Sequence, residues 1–233
     1  MFIKSPINRV YLINLAATFS SQAATAIAII LLTPLLLTQL GEAGFSLYGV
    51  VLNLIVVASV FDFSLNTTLV RRLILHPDKA NESINAVFNF FLLVLFCSIP
   101  LYYFSFVLGA VHITEKKLIM ALLVALIVAQ NMLAVLFESV MQSVNQWKQA
   151  KLIRVLRTLI ETVLLYWISG MGKIEYLFYV TGGVNLIYIT ALALIAKKHV
   201  DFRLGIGKLN FSLLLAHLKD SFWYFQNSIA SVI

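Results

Sequence analysis

A chain of 233 residues that is 61% hydrophobic and 12% charged departs from a soluble domain, which is about 45–50% apolar and about 25% charged. Its net charge of +7 does not point to nucleic acid, because the basic residues lie between apolar runs and leave no basic groove or domain. The single cysteine, Cys97, sits inside an apolar run and excludes a disulfide scaffold.

A hydrocarbon core about 30 Å thick takes about 20 apolar residues per helical pass. Six such runs follow one another: 11–37, 48–70, 86–110, 118–142, 152–170 and 176–196. The first is too long for the apolar region of a signal peptide and leads into further spans. Helices satisfy their own backbone in lipid, and the short alternating segments of a membrane barrel are absent. The expectation is an all-α membrane protein with a six-helix transmembrane lobe over residues 1–199.

With the N-terminus on the cytoplasmic side, the outside loops hold only Lys116, Lys117 and Lys173 of the 17 Lys and Arg residues. All the others fall inside, a strong positive-inside bias, so the sixth span also returns inside. Residues 200–219, with "DFRLGIGKLNFSLLLAHLKD", form a cytoplasmic connector. It reads either as an ordinary linker or as a helix on the membrane surface. In the second reading Leu209, Leu213, Leu214 and Leu218 face lipid while Lys208, His217 and Lys219 face water. Residues 220–233, with "SFWYFQNSIASVI", open like a seventh span that is too short to cross, as in an N-terminal fragment.

Polar residues within the runs carry the functional signal. Asn14, Thr18, Gln22 and Thr25 recur at helical spacing, and either line a cavity or bond neighbouring helices. The second run carries Ser59, Asp62 and Asn66. Asp62 lies nine residues, about 14 Å, from Arg71. Glu161 lies ten residues from Lys151. Both carboxylates therefore sit near mid-membrane, where an ionisable group is a functional candidate. Arg154 lies a turn inside the cytoplasmic edge, where a snorkelling side chain would also fit. Glu138 and Arg157 lie about equally far from the hairpin near Trp147, so a structural ion pair between them is a second expectation. The four histidines have no metal-ligand spacing, no glycine-rich phosphate loop occurs, and no loop has room for a soluble catalytic domain. An enzyme is not expected, nor a catalytic or metal-ligating residue.

The stretch "LLTPLLLTQLGEAGFSLYGVVLNLIVVASVFDFSLNTTLVRRL" resembles the first two helices of bacterial polysaccharide flippases, members of the multidrug/oligosaccharidyl-lipid/polysaccharide exporter (MATE-like) superfamily. The residues that carry the resemblance are Pro34, Leu40-Gly41, Tyr48-Gly49, Asp62-Phe63 and Arg71-Arg72, with Ser64 where the family usually has glycine. "ESVMQSVNQWKQAKLIRVLRTLIE" is similar to the family's fourth-to-fifth helix hairpin. A faint echo between "FSSQAATAI" (19–27) and "FQNSIASVI" (225–233) agrees with two parallel lobes.

The resemblance implies a bacterial inner-membrane flippase. It would move an undecaprenyl-diphosphate-linked oligosaccharide from the cytoplasmic to the outer leaflet, for O-antigen, capsule or exopolysaccharide synthesis. The fold implied is a two-lobe transporter working by alternating access, of which this chain supplies the N-terminal lobe. Arg154 and Arg157 are then expected on the diphosphate, with Asn14, Thr18, Gln22, Thr25 and Asn66 along the sugar path. Asp62 and Glu161 are expected to couple a proton or sodium gradient to the flip, with no cofactor. A glycan polymerase and a chain-length regulator are the implied protein partners. Two rivals stand beside this reading: a multidrug or cation antiporter of the same superfamily, and a non-transporting membrane assembly subunit.

Overall fold

Helix α1 (Pro6–Val60) is a 55-residue run broken at Gly41, whose φ of 68° and ψ of 176° interrupt the helical backbone. A computed structural model describes residues 6–60, 65–108, 117–206 and 214–222, and all regular structure among these is helical. The remaining helices are α2 (Leu65–Leu75), α3 (Ala80–Leu108), α4 (Lys117–Ser143), α5 (Trp147–Ser169), α6 (Ile174–His199) and α7 (residues 214–222). A single 3₁₀ turn, Pro77–Lys79, precedes α3.

Among the described residues, four stretches are long and apolar enough to cross a membrane: Leu12–Asn53, Pro77–Phe104, Ile119–Ser143 and Ile174–His199. The protein thus has several long apolar helices, the make-up of a membrane protein. The first stretch, 42 residues, would extend about 63 Å as one straight helix, twice the hydrocarbon thickness. Gly41 divides it. Leu32, Leu36 and Leu40 before the break, and Phe45 and Tyr48 after it, gather on one small cluster with Leu165 and Leu177. The bend therefore lies at the same end as the α5–α6 turn, the one containing Gly172 at φ 66°. The run expected at 48–70 falls across the end of α1, residues 61–64 outside the described set, and the 11-residue α2. Helix α5 is not among the four apolar stretches because Arg154, Arg157 and Glu161 fall within even its most apolar part.

Backbone with φ near +68° and ψ near 180° is essentially restricted to glycine. A Cβ on Gly41 would meet nothing within 4 Å, so any penalty there comes from the backbone alone. Gly41→Ala is expected to lose about 1–3 kcal/mol of stability. Gly49→Ala, in helical backbone with equally open surroundings, is expected to be neutral or slightly stabilising. Thermal unfolding of both variants in detergent checks the contrast.

Helix α4 is the axis of the bundle. It packs against α1, α2, α3, α5 and α6. Its inward residues include Val124, Ile127, Val128, Leu136, Phe137, Val140 and Met141, none more than 3% exposed. The outward faces of α1 and α5 are apolar instead, with Phe19, Ile30, Val163, Tyr166 and Trp167 all more than 60% exposed. Such surfaces are suited to lipid rather than water.

The connector is fastened to α3 by a ladder of asparagines at helical spacing. Asn81 Oδ1 accepts from the Arg203 N–H at 2.8 Å. Asn85 donates to the Arg203 carbonyl at 2.9 Å and accepts from the Gly205 N–H at 2.9 Å. Asn89 donates to the Gly205 carbonyl at 3.4 Å. Phe202 packs against Phe137 with ring centroids 6.0 Å apart.

Helix α7 then docks on α2. The Thr68 and Ser221 hydroxyls bond at 2.8 Å, and Arg72 pairs with Asp220 at 2.9 Å. This corrects the surface-helix reading in which His217 faces water: His217 is fully buried and Leu214 is 5% exposed. The spacing explains it. Leu214, His217, Leu218 and Ser221 fall at i, i+3, i+4 and i+7, one helical face. Leu209 and Leu213, with Lys208, lie outside the described residues.

Burial, reinforced by the nearby Arg72 cation and only partly offset by Asp220, pushes His217 from its ordinary 6.5 down to about 4. Docked His217 stays neutral, whereas a released α7 takes up a proton below pH 6.5. Docking is therefore expected to weaken as pH falls from 6.5 towards 4 and to be indifferent to pH above 6.5. Hydrogen exchange of residues 214–222, corrected for intrinsic rates, checks this. His217→Leu should remove the dependence.

Candidate functional site

Antiparallel packing of α4, α5 and α6 brings one buried carboxylate onto several donors. Glu138 on α4 is 4% exposed. Its Oε1 accepts from Arg154 at 2.6 Å and from the Tyr188 hydroxyl of α6. Its Oε2 faces the Lys151 ammonium at 3.4 Å. Lys151 is itself 6% exposed and lies over the Trp147 ring, 4.0 Å from its centroid. Arg157 and Glu161, one turn apart on α5, form a second pair at 3.0 Å. Tyr188 joins the two, since the Arg157 guanidinium lies 5.8 Å from its ring centroid.

The charge balance matters more than any single contact. Three cations, Lys151, Arg154 and Arg157, share two carboxylates, Glu138 and Glu161. Among the described residues one positive charge is left over between apolar helices, where a lone charge is strongly disfavoured. Donor capacity is left over as well: Arg157 Nε is buried with no hydrogen-bond partner. Arg154 reaches outward, with 34% of its side chain exposed against 7% for Lys151 and 23% for Arg157. Such a centre is equipped to receive an anion with several oxygen acceptors. Further along α6, the whole side-chain amide of Asn185 is buried without a partner, as is Gln130 Oε1 on α4.

The expected pair Glu138–Arg157 is not formed; Arg154 and Lys151 take Glu138, and Arg157 takes Glu161. Helix α4 ends at Ser143 and α5 begins at Trp147. Five residues back from Ser143 is Glu138, and five on from Trp147 is position 152, which Lys151 and Arg154 bracket. Arg157 lies five residues deeper, about 7.5 Å at the helical rise.

Of the polar face expected on the first span, only part turns inward. Thr18 donates to the Asn14 carbonyl at 2.9 Å and accepts from the Trp147 indole at 3.3 Å, fastening α1 to the start of α5. Thr25 bonds the Ser21 carbonyl of its own helix at 3.0 Å and, like Gln22, is exposed. Asn66 lies apart from the α5 centre, in a cleft of ≈ 440 Å³ that it lines with Arg71, Gln142 and apolar residues of α2. Asp62 lies outside the described residues.

Lys151 and Tyr188 are site members that the sequence reading missed. Lys151 stands one residue before the apolar run at 152–170, yet its i, i+3 spacing to Arg154, opposite Glu138, is a usable signal. Tyr48, stacked on Phe178 at 6.0 Å, also neighbours the Arg157–Glu161 pair. No protein-family model, curated protein or solved structure matches the chain.

Proposed function

We propose that the protein is a bacterial inner-membrane flippase, with a cytoplasmic N-terminus, for an undecaprenyl-diphosphate-linked oligosaccharide. In this reading its helices compose the six-span N-terminal lobe of a two-lobe, MATE-like transporter, and the glycolipid crosses by alternating access. The observation that carries the reading is the surplus of guanidinium and ammonium groups over carboxylates inside α4 and α5. A sugar diphosphate is too polar for hydrocarbon and brings clustered anionic oxygens, which forked guanidinium donors bind in pairs. Arg154 and Arg157 hold the diphosphate, and the inward polar residues of α1 face the sugar.

A glycan polymerase and a chain-length regulator would take the product on the outer side. A proton or sodium gradient would drive the cycle. The cation-antiporter reading fits less well, because Glu138 and Glu161 are both engaged by arginine or lysine and offer no spare negative charge to a cationic drug. Deleting the gene tests the function. Lipid-linked oligosaccharide should then accumulate on the cytoplasmic leaflet while the surface glycan disappears, and an unchanged surface glycan would reject the proposal.

A further inference from the structure

Glu138 occupies the donors that a diphosphate would need. It takes Arg154 on Oε1 and Lys151 on Oε2, and it is the most buried of the five charged groups in the two ion-pair systems, with Lys151 close behind. The Tyr188 hydroxyl comes from a different helix and bonds the same carboxylate without bearing charge. We infer that Glu138 is a tethered counter-ion: it holds Arg154 while the site is empty and yields it to an incoming diphosphate, with Tyr188 and Lys151 retaining the carboxylate. This inference rests on the flippase reading for its ligand class.

The exchange follows from the geometry. A carboxylate offers two anionic oxygens and a diphosphate several more, so the ligand outcompetes Glu138 for a bidentate arginine. Arg154 is the group that moves, being one-third exposed while Glu138 and Lys151 are nearly sealed. Arg157 adds a donor already waiting, its unpartnered Nε. Once Arg154 leaves, Glu138 Oε1 loses its closest cation, and a buried carboxylate oxygen without a donor is strongly disfavoured. Tyr188 answers that need. Glu138 therefore positions the cations and sets the affinity without touching the ligand.

Opposite signs for two neighbouring substitutions separate this role from simple packing. Glu138→Gln removes the competing charge and keeps the shape, so diphosphate affinity should rise about tenfold or more. Tyr188→Phe keeps the ring and removes the hydroxyl that stabilises the carboxylate once Arg154 has left it, so affinity should fall several-fold. In the double variant the hydroxyl has no carboxylate to serve, and the Tyr188 effect should vanish.

The experiment uses the full chain in nanodiscs of zwitterionic lipid, with Trp147 fluorescence as a reporter beside Lys151. Two probes distinguish the ligand's source: inorganic pyrophosphate in solution, and undecaprenyl diphosphate in the bilayer. Tighter binding of both by Glu138→Gln assigns a site open to water; tighter binding of the lipid alone assigns one reached from the membrane. Either supports the counter-ion role. If Glu138→Gln weakens binding or leaves it unchanged, or if both substitutions act in the same direction, that role is overturned. Should Glu138→Gln fail to fold, a Tyr188→Phe affinity equal to wild type overturns it alone. The flippase reading fails separately: it falls if binding behaves as described while gene deletion leaves the surface glycan intact.

Discussion

Replacing Glu138 with alanine is expected to remove about 3–5 kcal/mol of stability. The substitution strands Lys151, 7% exposed at its side chain, without the carboxylate 3.4 Å away, and takes the 2.6 Å partner from Arg154. The Tyr188 hydroxyl, buried against the same oxygen, loses its acceptor too. The effect is one of broken pairing rather than lost attraction, since replacing a whole buried ion pair by apolar groups is often neutral. Glu138→Ala combined with Lys151→Met should accordingly recover part of the loss. Unfolding in detergent of the two single variants and the double variant gives the coupling directly. A double variant no more stable than Glu138→Ala would mean that Lys151 is solvated and needs no partner.

Arg157→Ala is expected to lower glycolipid export about ten- to a hundredfold, since each hydrogen bond to a charged group is worth about 1.5–3 kcal/mol. Arg157→Lys should fall between, because an ammonium keeps the charge but not the planar fork. The substitution also leaves Glu161, 16% exposed at its side chain, without its 3.0 Å partner, so lost export must be separated from lost folding. Adding Glu161→Gln to Arg157→Ala removes that stranded charge. Stability should return and export should not. Export restored by the double variant would make Arg157 merely the counter-charge of Glu161.

Helices α3, α4 and α6 were legible because each is an uninterrupted apolar run with room for a membrane pass. The bend in α1 was marked by Leu40-Gly41, since a glycine between two apolar runs is where a reversal meets least steric resistance. Orientation about each helix was harder to read. Grouping Asn14, Thr18, Gln22 and Thr25 by their polarity ignored that Ser21 and Ala28, at 4% and 8% exposure, mark the inward seam. Gln22 lies about 100° from Ser21, off that seam. His217 was misplaced for a related reason: leucines alone defined the apolar side of α7, although a neutral histidine and a bonded serine fit it equally well.

Pairing across helices was the least legible. Which cation meets Glu138 depends on a register of a few ångströms set by the turn at residues 144–146, where Asn145 adopts φ 60°. Measuring from Trp147 rather than from the centre of the turn was enough to choose Arg157 over Arg154. The asparagines at 81, 85 and 89 carry a helical period that is plain once their partner is known. That partner is the backbone of residues 203–205, and a backbone leaves no mark in side-chain pattern.

The most direct test of the central claim is leaflet transfer by the purified protein. The proposed two-lobe transporter, with this chain as its N-terminal lobe, would be reconstituted in vesicles carrying a fluorescent undecaprenyl-diphosphate oligosaccharide, and accessibility of the sugar to an added lectin would be followed in time. The account predicts transfer well above protein-free vesicles for the wild type and near that background for Arg157→Ala. Wild-type transfer at the background rate, or Arg157→Ala transferring as fast as the wild type, would contradict it.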